Sequence, residues 1–192
     1  YAVHLAAVGR PQDAIREGHL AREVEPLSLV YNAGLGFFYF FARRYEEAAG
    51  HFRKAIEMDP NYPWGHTGMG AVHLQNGRYD EAIAGLEKGL ELSRRGMLEL
   101  TYVGHAYGVA GRRAEARRVL EEMTAMSRSR WVRPDFLAFV HLGLGEKDQA
   151  FALLEKAYAE KAVQPWLLPD PRWDSVREDP RWRDLMRRLG LP

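Results

Sequence analysis

The chain has 192 residues, 46% of them apolar, with 27 basic and 26 acidic side chains giving a formal net charge of +1, and no cysteine. That is material for one sizeable core, and it excludes disulfide scaffolds, thiol catalysis and cysteine-ligated metal. The near-cancellation of charge argues against nucleic acid as a partner, because clustered positive charge supplies most of the affinity for a phosphate backbone.

Displaced against itself by 34 residues, the sequence falls into columns. One holds Ala14, Ala48, Ala82, Ala116 and Ala150. A second holds only the two smallest side chains, in Ala2, Gly36, Gly70, Gly104 and Ala138. A third reads Gly9, Arg43, Gly77, Gly111 and Gly145, and a fourth reads Phe52, Leu86, Leu120 and Leu154, failing only at Gly18. A fixed interval of this kind means stacked units, here near 1–28, 29–62, 63–96, 97–130 and 131–162. In each unit the glycine column follows an apolar stretch and precedes a polar one, as in "NGRYDEA" at 76–82 and "GEKDQA" at 145–150. That is how a helix C-cap reads, since glycine accepts positive φ without steric cost. Each unit is therefore predicted to be two antiparallel helices joined by a tight turn, with the small residues where the helices cross.

In the first unit Tyr1 falls inside a helix by this register, so the chain is expected to begin in mid-element as a piece of something longer. Pro11 suits the first turn of the second helix. The second unit carries Phe37, Phe38, Tyr39, Phe40 and Phe41 in succession. Aromatic residues favour strands, but the register of the repeat makes this run helical. The apolar stretch Leu35–Ala42 is far short of the roughly 20 residues a membrane helix needs, so no membrane partner is expected. At about 100° per residue, Leu35, Gly36 and Tyr39 share the face that meets the partner helix, and Ala33, Phe37, Phe40 and Phe41 share the other. "MDPNYP" at 58–63 breaks the helix that follows. Three more units run without insertion to Ala162.

The tail, "QPWLLPDPRWDSVREDPRWRDLMRRLGLP", leaves the period and contains Asp-Pro-Arg-Trp twice, at 170–173 and 179–182. Asp before Pro is a helix-start signal, the carboxylate capping free N–H groups and the proline taking the first helical position. Two short helices are expected within a capping segment, 163–192, with Trp173, Trp182, Leu185 and Leu189 covering the apolar end of the fifth unit. An open stack needs such a cap.

The interval, the small residue, the Tyr of "GFFY" and "GHAY", the Ala column, the Phe/Leu column and the closing Pro26 and Pro60 resemble the tetratricopeptide repeat (TPR) pattern. The third to fifth units lack the closing proline, and His73 and His141 stand where that pattern has tyrosine. The resemblance implies an all-α, right-handed superhelical α-solenoid of about five helix pairs with a helical cap. It also implies a concave surface that takes partners, lined here by Phe37, Phe40 and Phe41, then Trp64, Thr67, Ala71 and Leu74, then Thr101, His105 and Val109, then Phe139 and Leu142. This lining is aromatic and aliphatic and lacks the Lys and Asn constellation with which chaperone-tail-binding TPR domains clamp a terminal carboxylate. The tail is similar to the C-terminus of bacterial multidomain regulators in which a TPR array follows a winged-helix, Ser/Thr kinase or cyclase front end.

No element of the sequence reads as catalytic. The seven histidines form no His-x-x-x-His pair, and His66, His73 and His105 read as helix-face or core side chains rather than metal ligands. No nucleophile elbow and no phosphate-binding glycine loop is present. Asp170, Asp174 and Asp179 read as helix caps, and the cluster Arg172, Arg177, Arg181, Arg183, Arg187 and Arg188 as a solvated face rather than a nucleic-acid surface. The expectation is a cytoplasmic, non-enzymatic module without cofactor or metal, binding an apolar or amphipathic segment of a protein or peptide in its groove. The alternatives are a groove covered by the chain itself or by a second copy, the latter making an oligomerisation module such as a homodimer, and an enzyme-associated ligand-binding domain with a nucleotide- or metal-dependent activity in the groove.

Overall fold

The structure, a computed structural model, describes residues 1–191, and every regular element among them is helical. Five antiparallel pairs follow one another: α1 (Ala2–Ala7) with α2 (Pro11–Val24), α3 (Leu29–Phe41) with α4 (Tyr45–Met58), α5 (Pro63–Gln75) with α6 (Tyr79–Leu92), α7 (Met97–Val109) with α8 (Arg113–Met126), and α9 (Pro134–Gly143) with α10 (Lys147–Ala159). Each pair packs on the next, which makes the molecule an all-α solenoid. Pro at the first helical position starts α2, α5 and α9, where a missing N–H costs nothing.

The turn inside each pair is the same. The residue of the glycine column has φ between 72° and 78° at Gly77, Gly9, Gly111 and Gly145, and the next N–H reaches back five residues, as in Arg78 N to His73 O at 3.0 Å and Arg112 N to Tyr107 O at 2.8 Å. This is the Schellman closure of a helix. Arg43 adopts it too, at φ 59°, with Arg44 N on Tyr39 O at 2.9 Å.

The small columns lie where helices touch. All five alanines from Ala14 to Ala150 are buried. A Cβ at Gly36 would stand 2.7 Å from the Phe52 ring, and one at Gly68 would stand 2.2 Å from it. Phe52 thus fills the space between α3, α4 and α5, joining two units through one ring. At the last junction the arrangement shifts: α9 leans mainly on α7 and only lightly on α8, and the α7–α9 contact is backbone on backbone through Gly108 and Gly143.

The tail has a short helix at each Asp-Pro-Arg-Trp box, as expected, but the first is 3-10 rather than α and a further 3-10 turn precedes it. Pro165–Leu167 and Pro171–Val176 are 3-10 turns, and only α11 (Pro180–Arg188) is α-helical. The Asp170 and Asp179 carboxylates do cap their elements, each accepting from the N–H two residues on at 2.9 Å. Asp174 does not; it lies inside the second 3-10 turn and pairs with Arg43 and Arg177. Trp173 packs on Phe139 with ring centroids 4.0 Å apart and on Trp182 at 5.2 Å. The guanidinium of Arg181 lies over Phe151 and that of Arg188 over Tyr158, which seats α11 on α10.

Candidate functional site

The first helices of the first four pairs border one cavity. Between α3, α5 and α7 lies a cavity of about 250 Å³, walled by Phe37, Phe38 and Phe41 of α3, Trp64 of α5, Leu98 and Tyr102 of α7, Val3 and Ala6 of α1, and Trp166 of the tail. The walls are apolar because the aromatic run of α3 exceeds what packing on α4 can use. Phe37 meets Phe52 edge-on at 4.9 Å and Trp64 at 6.2 Å, geometries the ring quadrupoles favour. Trp64 remains 39% exposed.

Of the residues read from the sequence as groove lining, Phe37, Phe41 and Trp64 stand in this wall. The others lie elsewhere. Phe40 is fully buried against Phe41 and Tyr45. Thr67 turns towards α6, where Gly89 leaves room for its hydroxyl. Ala71, Leu74 and Leu142 belong to the packed core. Thr101 is buried, its hydroxyl donating to Met97 O at 2.8 Å, and Val109 is 41% exposed at the end of α7. Leu98, Tyr102 and Trp166, which the repeat register did not select, complete the cavity.

Next to the cavity, Phe139 and His105 lie under residues of the tail. The Arg172 guanidinium sits between the rings of Tyr102 and Phe139, 3.6 and 3.8 Å from their centroids. It donates to Asp170 from Nε at 3.0 Å and from a terminal nitrogen at 2.9 Å, and the Tyr102 hydroxyl donates to the same carboxylate at 3.1 Å. Both charged side chains are out of solvent. Burial alone would push the Asp170 carboxyl up, but the Arg172 charge and hydrogen bonds outweigh it and hold the group below its ordinary range. Burial and the Asp170 charge push the Tyr102 hydroxyl up. This corrects the reading of Arg172 as part of a solvated face. The other arginines of that cluster are paired near the surface, Arg177 with Asp174, Arg181 with Asp179 and Asp148, Arg183 with Glu178, and Arg187 and Arg188 with Asp184.

His105 Nδ1 donates to Phe139 O at 2.8 Å, and His66 Nε2 donates to Pro60 O at 2.7 Å. Among the described residues no group of three or more His, Asp or Glu is placed to hold a metal ion, and no helix is long and apolar enough to cross a membrane. Burial first, and then the nearby Arg172 charge, lower the His105 pKa to about 4. An unfolded histidine takes up its proton near 6.5, so the stability His105 confers by staying neutral is intact above about 6.5 and is lost as pH falls from there towards 4. Urea midpoints measured from pH 7.5 to 4.5 should fall less steeply in His105→Asn, whose amide can still donate to Phe139 O. Parallel slopes for the two proteins would contradict the buried neutral imidazole.

A family model described as tetratricopeptide repeat matches residues 39–95, and a second of the same description matches 104–122. Among solved structures, a chain of the APC/C hetero-tetramer Cut9–Hcn1 is similar with TM-score 0.67 and 18% identity, over 98% of this chain and 35% of that one. A thermophilic TPR protein of Thermus thermophilus is similar with TM-score 0.67 and 19% identity, over 98% of this chain and 93% of that one. A tetratricopeptide repeat protein from Parabacteroides merdae has TM-score 0.60 and 15% identity, over 98% and 76%. The present chain thus spans about a third of the length of the first of these and nearly all of the second. At such identities the likeness is one of fold. Comparison with curated proteins gives no match.

Proposed function

Because the chain carries tetratricopeptide repeats in a continuous solenoid, we propose that it is a non-catalytic protein–protein interaction module that seats an apolar segment of a partner polypeptide on its concave side. The observation that supports this reading most is the apolar cavity beside Trp64 together with its neighbour, the chain's own tail. Residues 163–170, with the 3-10 turn Pro165–Leu167, lie against α1 and bring Trp166 to the cavity edge beside residues of α3 and α7, which supports reading this side as one that takes an irregular segment with aromatic and leucine side chains. A partner segment of the same character, extended or amphipathic, uses the same contacts. The likeness of the tail to the C-terminus of bacterial multidomain regulators supports reading the module as the sensing or scaffolding part of such a regulator.

The test is selection of peptides by display against the chain, followed by Trp64→Glu. Burying one aromatic anchor is worth enough that its loss should weaken a selected peptide by about tenfold or more, with helicity unchanged. Peptides that bind Trp64→Glu as tightly as the parent place the site elsewhere.

A second reading, self-association, is favoured by one feature. Val24, Leu27 and Val30 are 80%, 83% and 56% exposed, and Val24 and Val30 line a further cavity of about 560 Å³ that shares Val3, Phe38 and Trp64 with the first. A monomer by sedimentation at high concentration would remove it.

A further inference from the structure

In an open stack each unit touches only its neighbours. The first unit does not keep to that rule. Its helix α1 packs on α2 and next on the turn Pro165–Leu167, more than on α3. On the same side Ala6 and Ala7 share the walls of a cavity of about 290 Å³ with Leu168 and Pro169. The second unit takes part as well, a terminal nitrogen of Arg43 donating to Pro169 O at 2.7 Å. Leu167 and Leu168 are 1% and 5% exposed, so the meeting of the two ends is made in the core and not at the surface.

The tail is set as firmly on the last two units. Arg172 lies between Tyr102 of α7 and Phe139 of α9. The Trp173 indole donates to Leu167 O at 3.0 Å, and Lys147 Nζ, at the start of α10, donates to Ser175 O at 3.0 Å. One continuous set of packed, buried side chains therefore runs from Leu5 through all five pairs to Met186. A helix of six residues has no stability of its own, and α1, with that length, draws part of its support from the far end of the sequence.

We propose that the tail is a fixed clasp that ties the last unit to the first, so that the array opens as one body instead of fraying pair by pair from its first helices. The tie also sets the width of the cavity beside Trp64, whose walls include Val3 and Ala6 from α1 and Trp166 from the tail. The bearing of that width on partner binding rests on the reading proposed above, whereas the tie itself does not.

Leu168→Ala thins the contact with the first unit and leaves the Asp170–Arg172 group in place. Amide hydrogen exchange in α1 and α2 should then quicken about tenfold or more relative to the parent, although position 168 belongs neither to their unit nor to the next one. Asp179→Ala, which removes a solvent-facing cap at the start of α11, should leave exchange in α1 and α2 as it is in the parent. Exchange in α1 and α2 that stays slow in Leu168→Ala while residues 163–176 exchange faster overturns the clasp, and so does equal quickening in the two variants. The parent protein supplies a second measurement that needs no substitution. In rising urea, α1 and α2 should lose protection at the same concentration as residues 163–176. Loss in the first unit at distinctly lower urea, with the tail still protected, would mean that the two ends are independent and would overturn the clasp as well.

Discussion

Gly108→Leu should cost the chain more than about 3 kcal/mol, beyond the usual range for overpacking a core. A Cβ at position 108 would stand 2.4 Å from the carbonyl carbon of Gly143 and 2.7 Å from its oxygen, and the reciprocal Cβ at Gly143 would stand 2.4 Å from His105 O. These are backbone atoms in helices, which cannot rotate out of the way as a side chain can. Relief requires α7 and α9 to part, and that exposes Val103, Phe139 and Val140, all buried now. It also loosens the platform on which Trp173 and the cap rest. Even Gly108→Ala should be destabilising, although alanine is the better helix former by about 1 kcal/mol. Gly50→Ala is the control: it lies in α4 with nothing within 4 Å of the new Cβ, so propensity alone acts and stability should rise by about 0.5–1 kcal/mol. Urea denaturation of the three variants decides the matter. A Gly108→Leu midpoint at or above the parent would mean that α7 and α9 are not in contact there.

The small-residue column points to Gly104 but not to Gly108, and the difference shows what a repeat can and cannot reveal. Helix crossings within a unit recur at every interval, so they appear as columns; Gly36 against Phe52 and Gly70 against Leu86 are such crossings. Gly108 meets Gly143 only where the last unit changes its lean, and a contact made once leaves no column. The turns were legible for the same reason, and so firmly that Arg43 follows the glycine conformation against its own preference. The wall of the cavity was legible only in part. Helical periodicity puts Phe37, Phe40 and Phe41 on one face, but α3 has neighbours on several sides. Phe40 sinks fully among them, while Phe37 and Phe41 reach the cavity. The tail was least legible, because identical local signals met different surroundings. Asp-Pro-Arg-Trp at 170–173 and at 179–182 makes the same cap twice, yet the first arginine is 1% exposed and the second 45%. Local chemistry sets the cap. The path of the chain sets whether the charges beside it see water.

That contrast defines the other large effect. Asp170→Ala removes the counter-charge of an arginine held between two aromatic rings, leaving a cation buried from solvent, and breaking a buried pair in this way costs about 3–5 kcal/mol. Arg172→Met leaves Asp170 with the Tyr102 hydroxyl and a backbone N–H, but with no cation, and should also be strongly destabilising. Removing both together should cost less than the sum of the two, since an apolar pair of similar volume pays no desolvation. The pH dependence has a definite sign. The folded carboxyl of Asp170 is held below its unfolded value, so its contribution is fully present above about pH 4 and is lost as the solution is acidified below that; Asp170→Asn should lose this part of the acid sensitivity. At the second box, Asp179→Ala removes a cap and an ion pair of an arginine that keeps Asp148 as a second partner in solvent, and its effect should be a small fraction of that at Asp170. Chemical denaturation of both variants, with the double-mutant cycle at 170 and 172, separates the two sites. Equal losses at Asp170 and Asp179 would show that the first pair is as wet as the second, and the tail could not then lie between Tyr102 and Phe139.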